Sequence, residues 1–163
     1  MKKVFLGLGT NLGDREANLK RAVGSIIENI GPVVRLSAAY ETEPWGFHTE
    51  ELFLNMAVEV ETKLRPSGLL GRILMIEAEM GRLRHGRGYS SRIIDIDILL
   101  YGEKIMDTPI LVIPHPKLHE RRFVLEPLCE IAPDLVHPVM KKDIRTLLKD
   151  CNDKAEVKKF IKR

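Results

Sequence analysis

Two alternating apolar segments follow one another in this sequence with no helical pattern between them, and that order limits the fold more than any other feature. Val33 to Glu41 alternates, with Val34, Leu36, Ala38 and Tyr40 on one face. Phe53 to Thr62 alternates again, with Leu54, Met56, Val58 and Val60 opposing Asn55, Ala57, Glu59 and Glu61. Each reads as a strand. A helical period flanks the pair on both sides. Leu19, Ala22, Val23, Ile26, Ile27 and Ile30 recur within 14–30, before Gly31-Pro32. Leu69, Leu70, Ile73, Leu74 and Met80 recur after Pro66, and Gly81 ends that run. An apolar strand from Val4 to Leu8 precedes the first helix, and another from Ile93 to Tyr101 follows the second. The first 101 residues therefore read β-α-β-β-α-β, which predicts a ferredoxin-like α+β sandwich with helices packed on an antiparallel sheet. The same order argues against a dinucleotide-binding unit. Gly7-Leu8-Gly9-Thr10-Asn11-Leu12-Gly13 misses the fingerprint spacing, and two successive strands leave no crossover helix. With no Walker A pattern either, a nucleotide would be held by side chains.

Beyond residue 101 the signals shorten. Ile110 to Ile113 is a weaker strand, 117–131 holds a short helix or two, and 141–163 reads as a basic helical tail packed through Ile144, Leu147 and Leu148. At 163 residues the chain is expected to form one domain, 1–163, with this C-terminal extension. The formal net charge of +3 is unevenly spread: 141–163 carries nine basic and four acidic side chains, and 1–140 carries 17 and 19. A near-neutral body with no Lys/Arg-Gly-aromatic strand signature argues against nucleic acid as the partner. Cys129 and Cys151 stand 22 residues apart with no metal-ligand spacing. The N-terminus lacks a signal-peptide pattern and no apolar run reaches the ~18 residues of a membrane span, so the expectation is a cytoplasmic protein with no membrane and no obligate protein partner.

The most informative chemistry lies in Asp95-Ile96-Asp97. Strand alternation sends both carboxylates to one face, ~7 Å apart along the chain, and leaves Ile94, Ile96, Ile98 and Leu100 for the core. Two like charges on an apolar strand need a cation nearby, and oxygen-only ligands favour a hard ion such as Mg²⁺; a solvated face, or pairing with nearby arginines, is the structural alternative. Directly upstream, Arg82, Arg84, Arg87 and Arg92 share a Gly- and Ser-rich loop with His85. Guanidinium forks suit polyphosphate oxygens, and a polyphosphate with its metal needs both signs of charge to converge. Glu77 falls on or near the apolar stripe of the second helix, for an arginine partner or for a ligand's hydroxyl or amine. His115 sits between Pro114 and Pro116, with Arg121 close behind, either structural or part of the phosphate cluster. Thr42, Pro44, Trp45, Phe47, Phe53 and Asn55 gather aromatic and hydrogen-bonding groups that would suit a flat heterocycle, or that anchor a loop on the core.

These blocks, in order, resemble the 6-hydroxymethyl-7,8-dihydropterin pyrophosphokinase family of folate biosynthesis. The resemblance rests on Gly9-Thr10-Asn11-Leu12-Gly13, Tyr40-Glu41-Thr42 with Pro44 and Gly46, Phe53-Leu54-Asn55, Ile76-Glu77, Gly81-Arg82-Leu83-Arg84, Arg92-Ile93-Ile94-Asp95-Ile96-Asp97-Ile98-Leu99, Pro114-His115 and Arg121-Arg122-Phe123-Val124-Leu125. It implies an enzyme that transfers pyrophosphate from ATP to the hydroxymethyl group of the pterin, releasing AMP. It implies that Asp95 and Asp97 hold two Mg²⁺ ions and that Arg82 and Arg92 stabilise charge on the transferring group. Arg84, His115 and Arg121 would contact the triphosphate, with Glu77 and Ile98 at the nucleoside. Thr42, Pro44, Phe53, Asn55 and Phe123 would frame the pterin, with Trp45 and Tyr89 on loops closing over it. The chain departs from the family at Gly88-Tyr89-Ser90-Ser91-Arg92, where a basic residue, a Trp and a Gly-Pro pair commonly stand. The competing class is a non-enzymatic ferredoxin-like binding module, which would not need an Asp pair beside four arginines.

Overall fold

The computed structural model describes residues 1–42, 52–81 and 93–161. Lys2–Thr10 forms β1 and Arg15–Asn29 forms α1, whose first turn is capped by Asp14 accepting from the Ala17 amide at 3.1 Å. Val33–Leu36 forms β2, Tyr40–Thr42 forms β3 and Phe53–Thr62 forms β4. Pro66–Glu79 forms α2, with proline in the first turn where no amide hydrogen is needed. Asp95–Tyr101 forms β5, and Met106–Asp107 pairs with Val112–Ile113 as the small ribbon β6–β7. A 3-10 turn at Leu118–Glu120 leads into α3, Arg122–Ile131. Ile144–Asp150 forms α4 and Val157–Lys159 forms β8. No helix among the described residues is long and apolar enough to cross a membrane.

The main sheet is antiparallel in the order β5-β1-β4-β3-β8, with β2 also paired to β4. This is the predicted α+β sandwich with three differences. The expected strand 33–41 is broken. Ser37 leaves the ladder and ties itself to Ala57 twice, donating its amide to the carbonyl and accepting the Ala57 amide at Oγ, both at 2.9 Å. The break sets β2 against Val58–Val60 and β3 against Phe53–Asn55, and it leaves Val34 and Leu36 exposed rather than buried with Tyr40. Secondly, Leu100 does not continue the row of Ile94, Ile96 and Ile98. A register shift in the β1–β5 ladder between Phe5 and Leu6 puts both Leu99 and Leu100 on the opposite face. Thirdly, the tail is not one helix. It is the seven residues of α4, docked through Ile144 and Leu147, followed by extended chain ending in β8.

Two apolar cores result, one on each face of the sheet. Ile94, Ile96 and Ile98 join Leu6, Leu8, Val58 and Val60 against α1 and α2. On the other face Phe5, Ala57, Leu99 and Leu100 pack under Leu118, Leu125, Leu128, Ile144 and Leu147. This second core occupies only the lower part of its face, and the strand ends above it carry the polar residues described next.

Candidate active site

Ladder register assembles the site. Asp95 pairs with Gly9, Gly9 with Asn55 and Asn55 with Tyr40, so one row crosses four strands. The next row down runs Asp97, Gly7, Ala57. Paired residues share a face, as do residues two apart on one strand. Asp95, Asp97, Phe53, Asn55, Tyr40 and Thr42 therefore stand on the same face, with Gly7 and Gly9 as a bare floor between the carboxylates and Asn55. A Cβ on Gly9 would stand 2.9 Å from Asn55 Oδ1, and one on Gly7 would stand 3.3 Å from a Leu99 methyl. In the sequence these two glycines read only as a nucleotide-binding turn and a family block, not as a floor of the site. Their signal is the Gly-x-Gly alternation inside a strand, which marks a close approach as well as a turn.

The two carboxylates are partly exposed. At ~7 Å their repulsion is between about 0.6 kcal/mol in bulk water and 2.4 kcal/mol at an effective dielectric of 20. A cation beside them removes that cost. Among the described residues no cluster of three or more His, Cys, Asp or Glu side chains could hold a metal alone. Two carboxylates on an open face therefore suit a hard divalent ion that keeps waters and shares ligands with a substrate, rather than a closed protein cage.

His115 follows the β6–β7 ribbon and is tied to β5 by donating its amide to the Leu99 carbonyl at 2.9 Å. Its Nε2 lies 4.0 Å from Asp97 Oδ2. Its Nδ1 accepts the Lys117 amide at 3.1 Å, which assigns the ring proton to Nε2. Burial first, and then the Arg121 charge, push its pKa down to about 4, against the opposing pull of Asp95. His115 is thus a neutral donor near pH 7. The same environment brings together four expected residues, Asp95, Asp97, His115 and Arg121. Arg121 is 7% exposed at the N-cap of α3, and its guanidinium stands over the Phe123 ring, 5.7 Å from the centroid.

A cavity of about 280 Å³ opens beside β5, lined by Leu70 and Ile73 of α2, by Ile96, Asp97 and Ile98, by 108–112 and by His115 and Pro116. Its volume lies near the lower end of the roughly 300–1,000 Å³ of ligand pockets. Ile98 lines it, and Asp97 and His115 join it to the carboxylate face. Glu77 is buried beneath β5, where Oε2 accepts the Ile96 amide at 2.9 Å. That acceptor satisfies the outward-facing amide of an edge strand.

On the other flank, Asn55 is 8% exposed and its Nδ2 is buried with no hydrogen-bond acceptor among the described residues. A buried amide hydrogen without an acceptor, on a face floored by glycine, can donate to an acceptor atom of a ligand. Phe53 and Phe123 are partly exposed, as stacking surfaces must be. Thr42 is buried and its hydroxyl donates to the Glu156 carbonyl of the tail at 3.2 Å. Pro44, Trp45, Arg82, Arg84, Tyr89 and Arg92 lie outside the described residues.

Known proteins resemble this chain over most of its length. The family model described as 7,8-dihydro-6-hydroxymethylpterin-pyrophosphokinase matches residues 5–133. Curated relatives named 2-amino-4-hydroxy-6-hydroxymethyldihydropteridine pyrophosphokinase include one from Methylorubrum extorquens, 48% identical over 83% of this chain and 86% of its own. Another, from Aquifex aeolicus, is 39% identical over 89% of each chain, and one from Bacillus subtilis is 44% identical over 78% of this chain and 77% of its own. Among solved structures, a Plasmodium falciparum HPPK-DHPS with pteroate superposes with a TM-score of 0.74 over 91% of this chain at 18% identity. This chain spans 44% of that one, so the likeness speaks for the fold of the matched part.

Proposed function

We propose that this chain, which belongs to the 7,8-dihydro-6-hydroxymethylpterin-pyrophosphokinase family and transfers a pyrophosphoryl group to hydroxymethyldihydropterin in folate biosynthesis, takes that group from ATP on the sheet face bearing Asp95, Asp97 and Asn55. The observation that supports this reading is the row Asp95–Gly9–Asn55, in which a carboxylate and an amide flank a bare glycine on one face.

The pterin would lie over Gly9, between Phe53 and Phe123, with an edge acceptor on Asn55 Nδ2. The nucleoside would enter the cavity lined by Ile98, and its phosphates would run past His115 and Arg121 toward the carboxylates. Asp95 and Asp97 are the residues that would hold magnesium, two ions in this reading, and bound magnesium would neutralise the phosphates and acidify the pterin hydroxyl. The hydroxyl oxygen attacks the β-phosphorus in line and gives up its proton to solvent, the bond from that phosphorus to the αβ-bridging oxygen breaks, and AMP leaves. His115 contributes a hydrogen-bond donor rather than a base, because its Nδ1 lone pair is taken by the Lys117 amide and its lowered pKa makes the ring a poor proton acceptor. Arg121, itself largely buried, adds a fixed positive charge beside the carboxylate face. Arg82, Arg84 and Arg92 would supply further guanidinium groups to the transferring phosphates, with Pro44, Trp45 and Tyr89 beside the pterin.

The test is AMP formation from ATP that depends on both 6-hydroxymethyl-7,8-dihydropterin and magnesium, with the pterin diphosphate as co-product. Absence of AMP under conditions where ATP and pterin binding are both demonstrated would overturn the reading.

A further inference from the structure

The C-terminal segment does more than close the sheet. β3 is only three residues long, yet it stands beside Phe53 and Asn55 and carries Thr42. β8 pairs along all of it, Tyr40 with Lys159, Glu41 with Lys158 and Thr42 with Val157, and Phe160 donates its amide to the Ala39 carbonyl at 2.9 Å. The segment holds both faces of β3. On the site face, Thr42 Oγ1 donates to the Glu156 carbonyl at 3.2 Å. There Glu130 of α3 accepts from the Tyr40 hydroxyl at 2.6 Å and lies 3.9 Å from Lys159 Nζ. On the reverse face, Arg15 at the start of α1 pairs with Glu41 at 2.8 Å and donates to the Leu52 carbonyl at 2.7 Å. Its guanidinium lies 5.4 Å from the Phe160 ring centroid, and Phe160 packs against the first core.

We infer that Phe160 and Arg15 are positioning residues for the pterin half of the site: through β8 and Glu41 they hold β3 in register against Phe53 and Asn55. The carboxylates, His115 and the cavity lined by Ile98 are carried by β5, α2, the β6–β7 ribbon and the chain after it, whereas among the described residues the hydrogen bonds, ion pair and ring contact of Arg15 and Phe160 given above go to Ala39, Glu41, Leu52 and each other. The two halves of the site are therefore separable, and loss of the clamp acts on pterin recognition while ATP binding stays intact. This inference rests on the pterin assignment proposed above.

The test compares the wild type, Phe160→Ala, Phe160→Tyr, Arg15→Gln and a chain truncated after Lys154. Equilibrium binding of 6-hydroxymethylpterin and of a non-hydrolysable ATP analogue is measured beside steady-state KM for each substrate and the urea midpoint. Phe160→Ala and Arg15→Gln are expected to weaken pterin binding by about tenfold or more, equivalent to about 1.4 kcal/mol, and to leave the ATP analogue within about twofold. Phe160→Tyr keeps the ring over Arg15 and should restore the wild-type value. If the truncated chain does not fold, the point variants decide alone. Equal loss of pterin and ATP binding, or no change in either, would overturn the inference. A wild-type protein that binds ATP but not pterin would instead overturn the proposed function.

Discussion

Asn55 stands directly across the β1–β4 ladder from Gly9, and a Cβ added at Gly9 would lie 2.9 Å from Asn55 Oδ1. Asn55 can hold its amide over the floor only because Gly9 has no side chain. Gly9→Ala is expected to displace Asn55 and weaken pterin binding by at least about tenfold, a change of about 1.4 kcal/mol. Gly7→Ala meets Leu99 methyls at 3.3 and 3.4 Å, which a small side-chain shift relieves. It should keep pterin affinity within about threefold, under 1 kcal/mol. Pterin titration of both variants checks the contrast.

The carboxylate pair predicts a loss of activity and of the response to magnesium. Asp95→Asn and Asp97→Asn are each expected to lower kcat by about 10²-fold or more, the scale of losing one preorganised electrostatic group at a reacting centre. Magnesium should raise the melting temperature of the wild type with an ATP analogue, and this increment should shrink in both variants. Near-normal turnover in Asp97→Asn would remove the carboxylate from its role.

Glu77 separates a structural carboxylate from a catalytic one. Its Oε2 satisfies the Ile96 amide on the outer edge of β5, between the two aspartates. Glu77→Gln keeps an acceptor and should be tolerated. Glu77→Ala leaves a buried amide hydrogen unsatisfied and should cost about 1–3 kcal/mol. Urea unfolding of the two variants decides, and equal destabilisation would show that charge rather than the hydrogen bond matters.

Acid should weaken the ligand-free fold through His137. This buried ring accepts the amides of Val139 and Met140 at Nδ1, at 3.2 and 3.1 Å, and burial followed by the charge of His119 holds its pKa below the ordinary value. The unfolded chain then binds more protons than the folded one below the unfolded pKa of about 6.5. The stabilisation is complete above that pH and is lost as pH falls, at no more than about 1.4 kcal/mol per unit for one group. His137→Asn keeps an acceptor but does not titrate, so its urea midpoint should fall less between about pH 7.5 and 5. His115 shifts in the same direction, so the slope should shrink without vanishing. An unchanged slope would exclude His137 as its source.

The strand and helix periods alone placed the β-α-β-β-α-β order, because alternation and the 3.6-residue repeat are local properties of a chain with one buried face. They also put Asp95 and Asp97 on a common face. The same patterns misplaced Val34 and Leu36, because Ser37 breaks the strand by bonding to Ala57, a residue 20 positions away. They misplaced Leu100, because a register shift opposite Phe5 and Leu6 belongs to the ladder and not to β5 itself. They carried the helix marked by Ile144, Leu147 and Leu148 on to the end of the tail, because Val157–Lys159 becomes a strand only where Tyr40–Thr42 is there to pair with it. The sequence determined the elements and the chemical types at the site. The tertiary structure decided which of them meet: Gly9 between Asp95 and Asn55, His115 beside Asp97, Arg15 between Glu41 and Phe160. Those meetings depend on register and on closure of long loops, whose energies are settled by partners distant in the chain.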